Sequence, residues 1–239
     1  MSDQPSASGE IMEGVYRALR AHGYADLTMQ DIADECSKSK SLLHYHYDTK
    51  EALLVAFLDH VITDSEARIA AHASEPPAER LAGFIGWFVF EPGAVDREAF
   101  HIALLELRTQ GPFNEPIREQ LARSDRLLRG TVVDILESGI EAGAFRDVDA
   151  EETAALLVAT LDGARTRQIT LSREMGGTDG DAGDESSASR TDCDPPEPTY
   201  TRAVAEAALH RIVEPLLAPG VEPPSLEAGI AAMAPEDDE

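Results

Sequence analysis

The spacing of apolar residues limits the possible fold of this chain more than any other feature of its sequence. Over almost every segment that is not dominated by glycine, proline or acidic residues, apolar side chains recur every three or four positions. This period places them on one face of an α-helix, whereas a half-buried strand needs strict alternation, of which we find no convincing example. The 239 residues suffice to bury a core without disulfides. We therefore predict an all-α fold.

Helix-capping signals divide the first fifty residues into three short helices and the start of a long one. The first helix begins near Ile11 and ends near Gly23, where a glycine lets the backbone leave the helix. Hydroxyl side chains suited to a helix N-terminus precede the next three helices, at Thr28, Ser39 and Thr49. Asp31 completes a capping box with Thr28, because hydroxyl and carboxylate together satisfy free amides at one helix start.

Further helical segments fill most of the remaining chain. The fourth helix continues to about residue 73, where Pro76 and Pro77 end it. Apolar stripes then predict helices over residues 81–90, 97–108, 117–142, 148–173 and 200–217, and a short one over 226–233.

Two acidic segments break the helical pattern. Residues 176–197 contain seven acidic residues and four glycines but no large apolar side chain. Such a segment cannot bury enough apolar area to offset the entropy lost on ordering, so we predict a disordered loop. Residues 219–239 form an acidic, Pro-rich tail. The two cysteines, Cys36 and Cys193, fit neither a disulfide framework nor a zinc site.

Lys38, Lys40 and Lys50 are the only lysines of a strongly acidic chain. The sequence has 45 acidic and 20 basic residues, a formal net charge of −25 that by itself argues against nucleic-acid binding. Few lysines, many arginines and acidic excess are typical of salt-loving archaea, which we take as the source. A surface that is acidic for solubility alone would not explain why all three lysines lie within thirteen residues of each other. Their clustering favours a local function.

Residues 29–47 have the layout of a helix-turn-helix. Its second helix must be polar outside and anchored by apolar residues inside to enter a DNA major groove about 12 Å wide. Leu42 and Leu43 can anchor it. Donors suited to phosphates and base edges then face outwards, from Ser39, Lys40, Ser41, His44 and Tyr45. Lys50 adds a cation beside the free amides of the next helix.

The order of residues in this segment closely resembles the amino-terminal signature of the TetR/AcrR family over residues 11–54. The matching stretches are Gly23-Tyr24, Thr28 to Ala33, Ser39 to Tyr47 and Lys50 to Leu53. The resemblance implies that the threonine caps a helix and touches phosphate, that the second helix reads DNA, and that the lysine after it clamps the DNA backbone. The predicted DNA-binding residues are Thr28, Lys38, Ser39, Lys40, Ser41, His44, Tyr45 and Lys50.

Several positions in this segment leave alternatives open. Ser37 stands where the family usually has glycine, which predicts strain or an altered turn, and His44 stands where it usually has tyrosine. His44 either contacts phosphate or is simply exposed, whereas we expect His46 to pack against the first helix and Tyr47 to be core. Cys36 fits a small buried residue better than a redox sensor. A plain three-helix cap would explain these helices but not the signature order.

Aromatic residues concentrate in the middle of the chain and can line an effector pocket. The candidates are Phe84, Trp87, Phe88, Phe100, His101 and Leu104. An ordinary core is the alternative, and His101 fits a hydrogen-bonded core histidine better than a polar group in a pocket. The resemblance implies a domain that binds a small apolar effector and dimerises through its last two helices, over 150–173 and 200–217. Such a homodimer would require a roughly palindromic DNA operator.

The predicted architecture is an amino-terminal helix-turn-helix domain over residues 8–52, a helical effector-binding and dimerisation domain over 53–218, and the tail over 219–239. No sequence pattern supports a cofactor, a metal site or an enzyme's nucleophile with its base. No apolar run reaches the roughly 18 to 20 residues of a membrane span, and no signal peptide is recognisable, so we expect a cytoplasmic regulator. A helical interaction module that does not bind DNA is the alternative function.

Overall fold

Helices form the regular structure of residues 7–89, 95–171 and 199–232, which are the residues that the computed structural model describes. The first four helices are α1 (Ala7–Asp26), α2 (Met29–Glu35), α3 (Lys40–His46) and α4 (Lys50–Ala71). The next four are α5 (Pro77–Trp87), α6 (Val95–Gln110), α7 (Glu115–Glu141) and α8 (Ala150–Leu171). The last are α9 (Tyr200–Ala208), a π-helical turn (Leu209–Val213), α10 (Glu214–Leu216) and α11 (Leu226–Ala232). The all-α prediction is confirmed.

The predicted acidic loop over residues 176–197 lies outside the described residues, as does Cys193. Within the described ranges, no helix combines the length and the hydropathy that crossing a membrane requires.

The predicted caps form in the structure. The Thr28 hydroxyl accepts from the Asp31 N–H while the Asp31 carboxylate accepts from the Thr28 N–H, which is a complete capping box. Ser39 and Thr49 accept from amides one turn into α3 and α4. Gly23, with φ of +67°, interrupts α1 where the sequence predicts the helix to end, although helical backbone resumes to Asp26. Local chemistry thus sets the starts of α2, α3 and α4.

Prolines explain two differences between predicted and observed helices. α5 begins at Pro77, four residues before the predicted start, because proline suits the first turn of a helix. The predicted helix over 200–217 contains a π-helical turn just before Pro215. Proline has no N–H to continue the helical hydrogen bonding, so the backbone changes its pattern there.

Two apolar cores organise these helices. The first joins α1 to α4 and includes Phe100, Ala103 and Leu107 of α6, so it extends well beyond residue 52. The second is built from α5, α7, α8, α9 and the carboxy-terminal segment. Because α6 contributes to the first core and also contacts α7 and α8, it connects the amino-terminal helices to the rest of the molecule.

The short helix that the sequence predicts within the tail, over 226–233, is present as α11, and it packs firmly against α5. Leu226 is buried in the second core. Gly86 and Gly229 face each other where the two helices cross, and a methyl group at Gly229 would collide with the backbone at Ala82. The absence of a side chain at both positions therefore permits the close approach.

Substitution of Gly229 by alanine should loosen this crossing. Because the new Cβ meets rigid backbone, α11 must shift, and we expect the free energy of unfolding to fall by about 1–3 kcal/mol. Gly130→Ala is the matched control, since Gly130 lies in a helix with open space around its Cα. That control should be neutral or raise stability by up to about 1 kcal/mol. Equal chemical-denaturation curves for the two variants would contradict this account of the crossing.

Candidate nucleic-acid interface and effector cavity

The turn between α2 and α3 has a strained backbone at Ser37. Its φ is +51°, in the left-handed region that L-residues other than glycine rarely adopt, so of the two alternatives that the sequence leaves open the structure shows the strain. Cys36, just before it, is buried, and Gly14 of α1 lies against its Cβ. Burial raises the pKa of the Cys36 thiol, so the unreactive protonated form is favoured. The turn is thus held tightly against α1.

The outer face of α3 is open to solvent. Leu43 is fully buried and Leu42 partly, as the anchoring role requires. The polar side chains expected to face outwards are exposed, namely Ser39, Lys40, Ser41, His44 and Tyr45. Tyr45 is 83% exposed, which is unusual for a large aromatic residue and leaves the ring available to a partner.

Two aromatic residues at the end of α3 behave differently. Tyr47 is half-buried against the first core, as predicted. His46 was expected to pack against α1 but is exposed, with its ring 5.2 Å from that of Tyr45. The prediction for His46 is therefore wrong, because the last turn of α3 leaves this position on the solvent side.

Lys38 and Lys40 differ in their surroundings although they are two residues apart. Lys38 forms an ion pair with Glu10 of α1, and this hydrogen-bonded partner raises the pKa of Lys38. Lys40, at the first position of α3, is exposed and makes no ion pair with any residue that the structure describes. Lys40 is thus the more accessible of these two cations.

Lys50 is bonded to the α1–α2 loop, which we define as residues 24–28, from the last turn of α1 after the break at Gly23 to the cap of α2. Its ammonium group donates to the carbonyl oxygens of Tyr24, at 3.3 Å, and Leu27, at 3.0 Å. It also lies 4.8 Å from the centre of the Tyr24 ring, within the range of a cation–π interaction. An ammonium has three N–H donors, so one remains for another acceptor. Lys50 therefore fixes the loop, and its contact with DNA stays a prediction.

A carboxylate of α6 holds the same loop from the other side. Glu106 accepts a hydrogen bond from the Tyr24 N–H at 2.6 Å, next to the left-handed Gly23. A side chain at Gly23 would approach this carboxylate closely. Sequence reasoning missed Glu106, since the two partners are 82 positions apart and no local pattern connects them.

A cavity of about 760 Å³ lies between the amino-terminal helices and the remainder of the molecule. Four of the predicted pocket residues line it: Trp87, Phe100, His101 and Leu104. Phe84 and Phe88 instead fill the second core, at 3% and 0% exposure, so their assignment to the pocket wall is corrected. Both faces of α5 are buried, and apolar spacing cannot tell a core face from a cavity face.

The cavity wall also includes residues that the sequence did not predict to line a pocket. Met12, Tyr16 and Arg20 of α1 line it, as does Ile230 of α11. No sequence signal marks these residues, since the apolar stripe of α1 is equally explained by the first core. A molecule in this cavity would touch α1 directly.

Replacing Ser37 by glycine should stabilise the protein. A left-handed conformation costs an L-residue roughly 1–2 kcal/mol, whereas glycine adopts it freely but loses more entropy on folding. We expect a net gain of about 1 kcal/mol in the free energy of unfolding, measured by chemical denaturation. Ser37→Ala is the control and should give no gain, because alanine keeps the Cβ. A glycine variant no more stable than the alanine variant would show that the turn is unstrained.

Two protein-family models match separate parts of this chain, one at the amino terminus and one over the helices that follow. The model of the bacterial regulatory proteins of the tetR family matches residues 11–57, and that of the BetI-type transcriptional repressor C-terminal region matches residues 77–180. The repressor KstR2 of Mycobacterium tuberculosis is 27% identical over 151 residues, which are 61% of this chain and 73% of that protein.

Solved structures extend the likeness over most of the chain. A regulator from Saccharomonospora viridis in complex with choline has a TM-score of 0.66, covers 87% of this chain and 97% of its own, and at 23% identity shows the fold alone. A TetR transcription regulator from Haloarcula marismortui is 33% identical, with a TM-score of 0.70 over 88% of this chain and 97% of that one. This chain therefore belongs to the TetR family of DNA-binding transcription regulators.

Proposed function

We propose that this protein is a ligand-responsive repressor that binds a palindromic operator as a homodimer. One observation carries the proposal: α6 lines the cavity through His101, Leu104 and Arg108, while Glu106 of the same helix holds the loop that precedes the helix-turn-helix. One helix thus connects the cavity to the helix-turn-helix. A molecule that shifts α6 against α1 would alter the separation of the two recognition helices of a dimer.

The proposed DNA-binding residues are the eight that the sequence predicts, with different roles. Ser41, His44 and Tyr45 would face base edges and phosphates from α3, and Lys40 would bind phosphate. The ammonium groups of Lys38 and Lys50 already bind Glu10 and the Leu27 carbonyl oxygen, so each would bind phosphate in addition to that partner. The remaining two, Thr28 and Ser39, cap helices and would add contacts at the rim of the groove. Lys40 should therefore contribute most of the salt-dependent affinity.

The proposed dimer interface is the exposed face of α8 and α9. Small side chains at Ala159 and Ala203 are exposed there, together with the large apolar groups of Leu156, 58% exposed, and Tyr200, 49% exposed. Exposed apolar residues on two adjacent helices fit a second copy of the same face, because a two-fold axis pairs a surface with itself. The result would be a four-helix interface.

We infer a salt-loving source and a reader adapted to molar salt. The net charge of −25, the scarcity of lysine and the likeness to the Haloarcula marismortui regulator support it. At 1 M salt the screening length is about 3 Å, so the acidic surface repels DNA over a short range only. The proposed division of the chain is the one that the sequence predicts. The DNA-binding domain spans residues 8–52, the effector-binding and dimerisation domain spans 53–218, and the tail spans 219–239 and contains α11.

The effector is proposed to be a small molecule with an apolar part. A cavity of about 760 Å³ lies within the size range of ligand sites, and apolar residues form much of its wall. The Saccharomonospora viridis regulator binds choline, so a protein of this fold can take a small molecule. To move nearly the whole population between the two states, the effector must favour the released state by about 5.5 kcal/mol.

Footprinting on fragments of the source genome in molar potassium chloride tests DNA recognition. We expect a protected palindrome above 1 M salt. Lys40→Ala should weaken binding to every protected site and reduce the slope of log affinity against log salt by about 1. The matched control Lys38→Ala should have a smaller effect, because that ammonium is already paired with Glu10. A folded dimer that protects no sequence would instead favour the interaction module.

Leu156→Asp should disrupt the proposed dimer. A charge placed at the centre of an apolar interface has no partner there, so we expect a folded monomer with greatly weakened operator binding. Phe113→Asp is the matched control, since Phe113 is 88% exposed and lies between α6 and α7. Light scattering coupled to size-exclusion chromatography gives the mass of each variant. A dimer that survives in Leu156→Asp would place the interface elsewhere.

A further inference from the structure

An ion pair beside the cavity joins α6 to α8. Arg108 of α6 donates a hydrogen bond to the Asp162 carboxylate of α8 at 2.7 Å, and the two residues are 54 positions apart in the chain. Both of them also line the cavity. Their side chains are 40% and 31% exposed, so the pair is half-buried. The contact therefore connects two helices that are distant in the sequence.

Arg108 stands two residues after Glu106, so the two side chains leave α6 on opposite sides. Successive residues of an α-helix are turned by about 100°, which places these two roughly 200° apart. Glu106 accepts from the Tyr24 N–H of the α1–α2 loop at 2.6 Å, while Arg108 reaches α8. α6 is thus bonded to the DNA reader on one side and to α8 on the other.

α8 would be the fixed side of this connection in the proposed dimer. Leu156, which is 58% exposed, belongs to the proposed interface, whereas Asp162 faces Arg108. Six residues correspond to roughly 240° around a helix, so α8 presents one face to the second copy and a different face to α6. An α8 that is held by the interface would therefore fix α6 through the ion pair.

The pair suits a protein that works in molar salt. At 1 M salt the screening length is about 3 Å, and partly buried charges are screened less than exposed ones. The polar atoms of Arg108 and Asp162 are 2.7 Å apart and the side chains are half-buried. This contact therefore keeps more of its strength in salt than charges that are farther apart on the open surface.

We propose that Arg108 and Asp162 are positioning residues for DNA binding: their ion pair holds α6 where Glu106 binds the α1–α2 loop, and it breaks when the protein releases DNA. This inference rests on the proposed function, because it assigns the contact that sets the DNA-binding arrangement. Neither residue needs to touch DNA, since both act through α6 on the loop that α2 and α3 follow. An occupant of the cavity lies beside both partners and can reach the contact directly.

Hydrogen exchange at the Tyr24 amide tests the first step without DNA. Loss of the pair lets α6 move away from the loop, so Arg108→Gln and Asp162→Asn should each speed exchange of this amide about two- to fivefold. The Leu136 amide, in the second core, should exchange at its original rate. A role in overall stability alone would instead speed exchange at both amides.

Charge exchange tests the second step on the palindrome that footprinting identifies, in molar potassium chloride. Arg108→Asp and Asp162→Arg each place like charges together, and each should weaken operator binding about five- to tenfold. The double variant rebuilds the pair in the opposite sense and should return the affinity to within about twofold. Asp162→Arg is decisive, because its two added positive charges would by themselves strengthen binding to DNA.

Arg129 and Asp125 supply the matched control. They form an ion pair of similar length and exposure, at 2.8 Å with side chains 41% and 54% exposed, but both belong to α7. Arg129→Gln should leave Tyr24 exchange unchanged, and Arg129→Asp should leave operator affinity unchanged. A fall in operator affinity in Arg129→Asp as large as that in Arg108→Asp would overturn the assignment to one particular pair.

The outcomes distinguish this inference from the proposed function. Unchanged exchange at Tyr24 would overturn it, and so would faster exchange there with unaltered operator affinity. Tighter operator binding by Arg108→Gln would also overturn it, because the pair would then belong to the released state. The neutral variants decide the matter should a reversed charge unfold the protein. Faster Tyr24 exchange in a protein that protects no operator would support the connection from α8 to the loop and contradict the regulator.

Discussion

The short loop between α1 and α2 is the joint on which the arrangement of the molecule depends. Glu106 binds its Tyr24 N–H, and Lys50 binds the carbonyl oxygens of Tyr24 and Leu27. A carboxylate and an ammonium that bind opposite polar groups of one segment fix its direction as well as its distance, because charge-assisted hydrogen bonds are short and directional. α2 and α3 follow this loop directly, so the position of the recognition helix relative to α6 is set here.

This joint explains how a small molecule can reach the DNA reader without a long route. Leu104 and Arg108, on either side of Glu106 in α6, line the cavity, as does Tyr16 of α1. An occupant therefore touches α1, from which the loop leads, and α6, whose Glu106 holds the loop. Coupling between distant sites needs an element with two arrangements that both sites bias. In the proposed mechanism α6 and α1 form this element, and Phe100 of α6, which is buried in the first core, connects the cavity wall to the amino-terminal helices.

The sequence predicts those structural features whose physical cause lies in neighbouring residues. The capping box at Thr28 and the strain at Ser37 follow from neighbouring residues, and both were predictable. The partners of Lys50 and Glu106 lie 23 or more positions away, so no local pattern could reveal them. Phe84 and Phe88 show a different limit: periodicity identifies one buried face, but every residue of α5 from 81 to 86 is buried. The α11 crossing depends on two glycines, whose meaning appears only when the helices meet.

The three clustered lysines have different roles, which their spacing in the sequence does not reveal. Clustered cations in an acidic chain predicted phosphate binding, yet Lys38 is paired with Glu10 and Lys50 with backbone carbonyls. Pairing lowers the attraction for DNA but fixes α3, because Lys38 ties the strained turn to α1 and Lys50 ties the loop before α2. In molar salt, screening over about 3 Å removes most long-range attraction anyway. If the source is salt-loving as proposed, cations contribute more by holding α3 in place than by drawing DNA in, and the exposed Lys40 remains the cation proposed for direct contact.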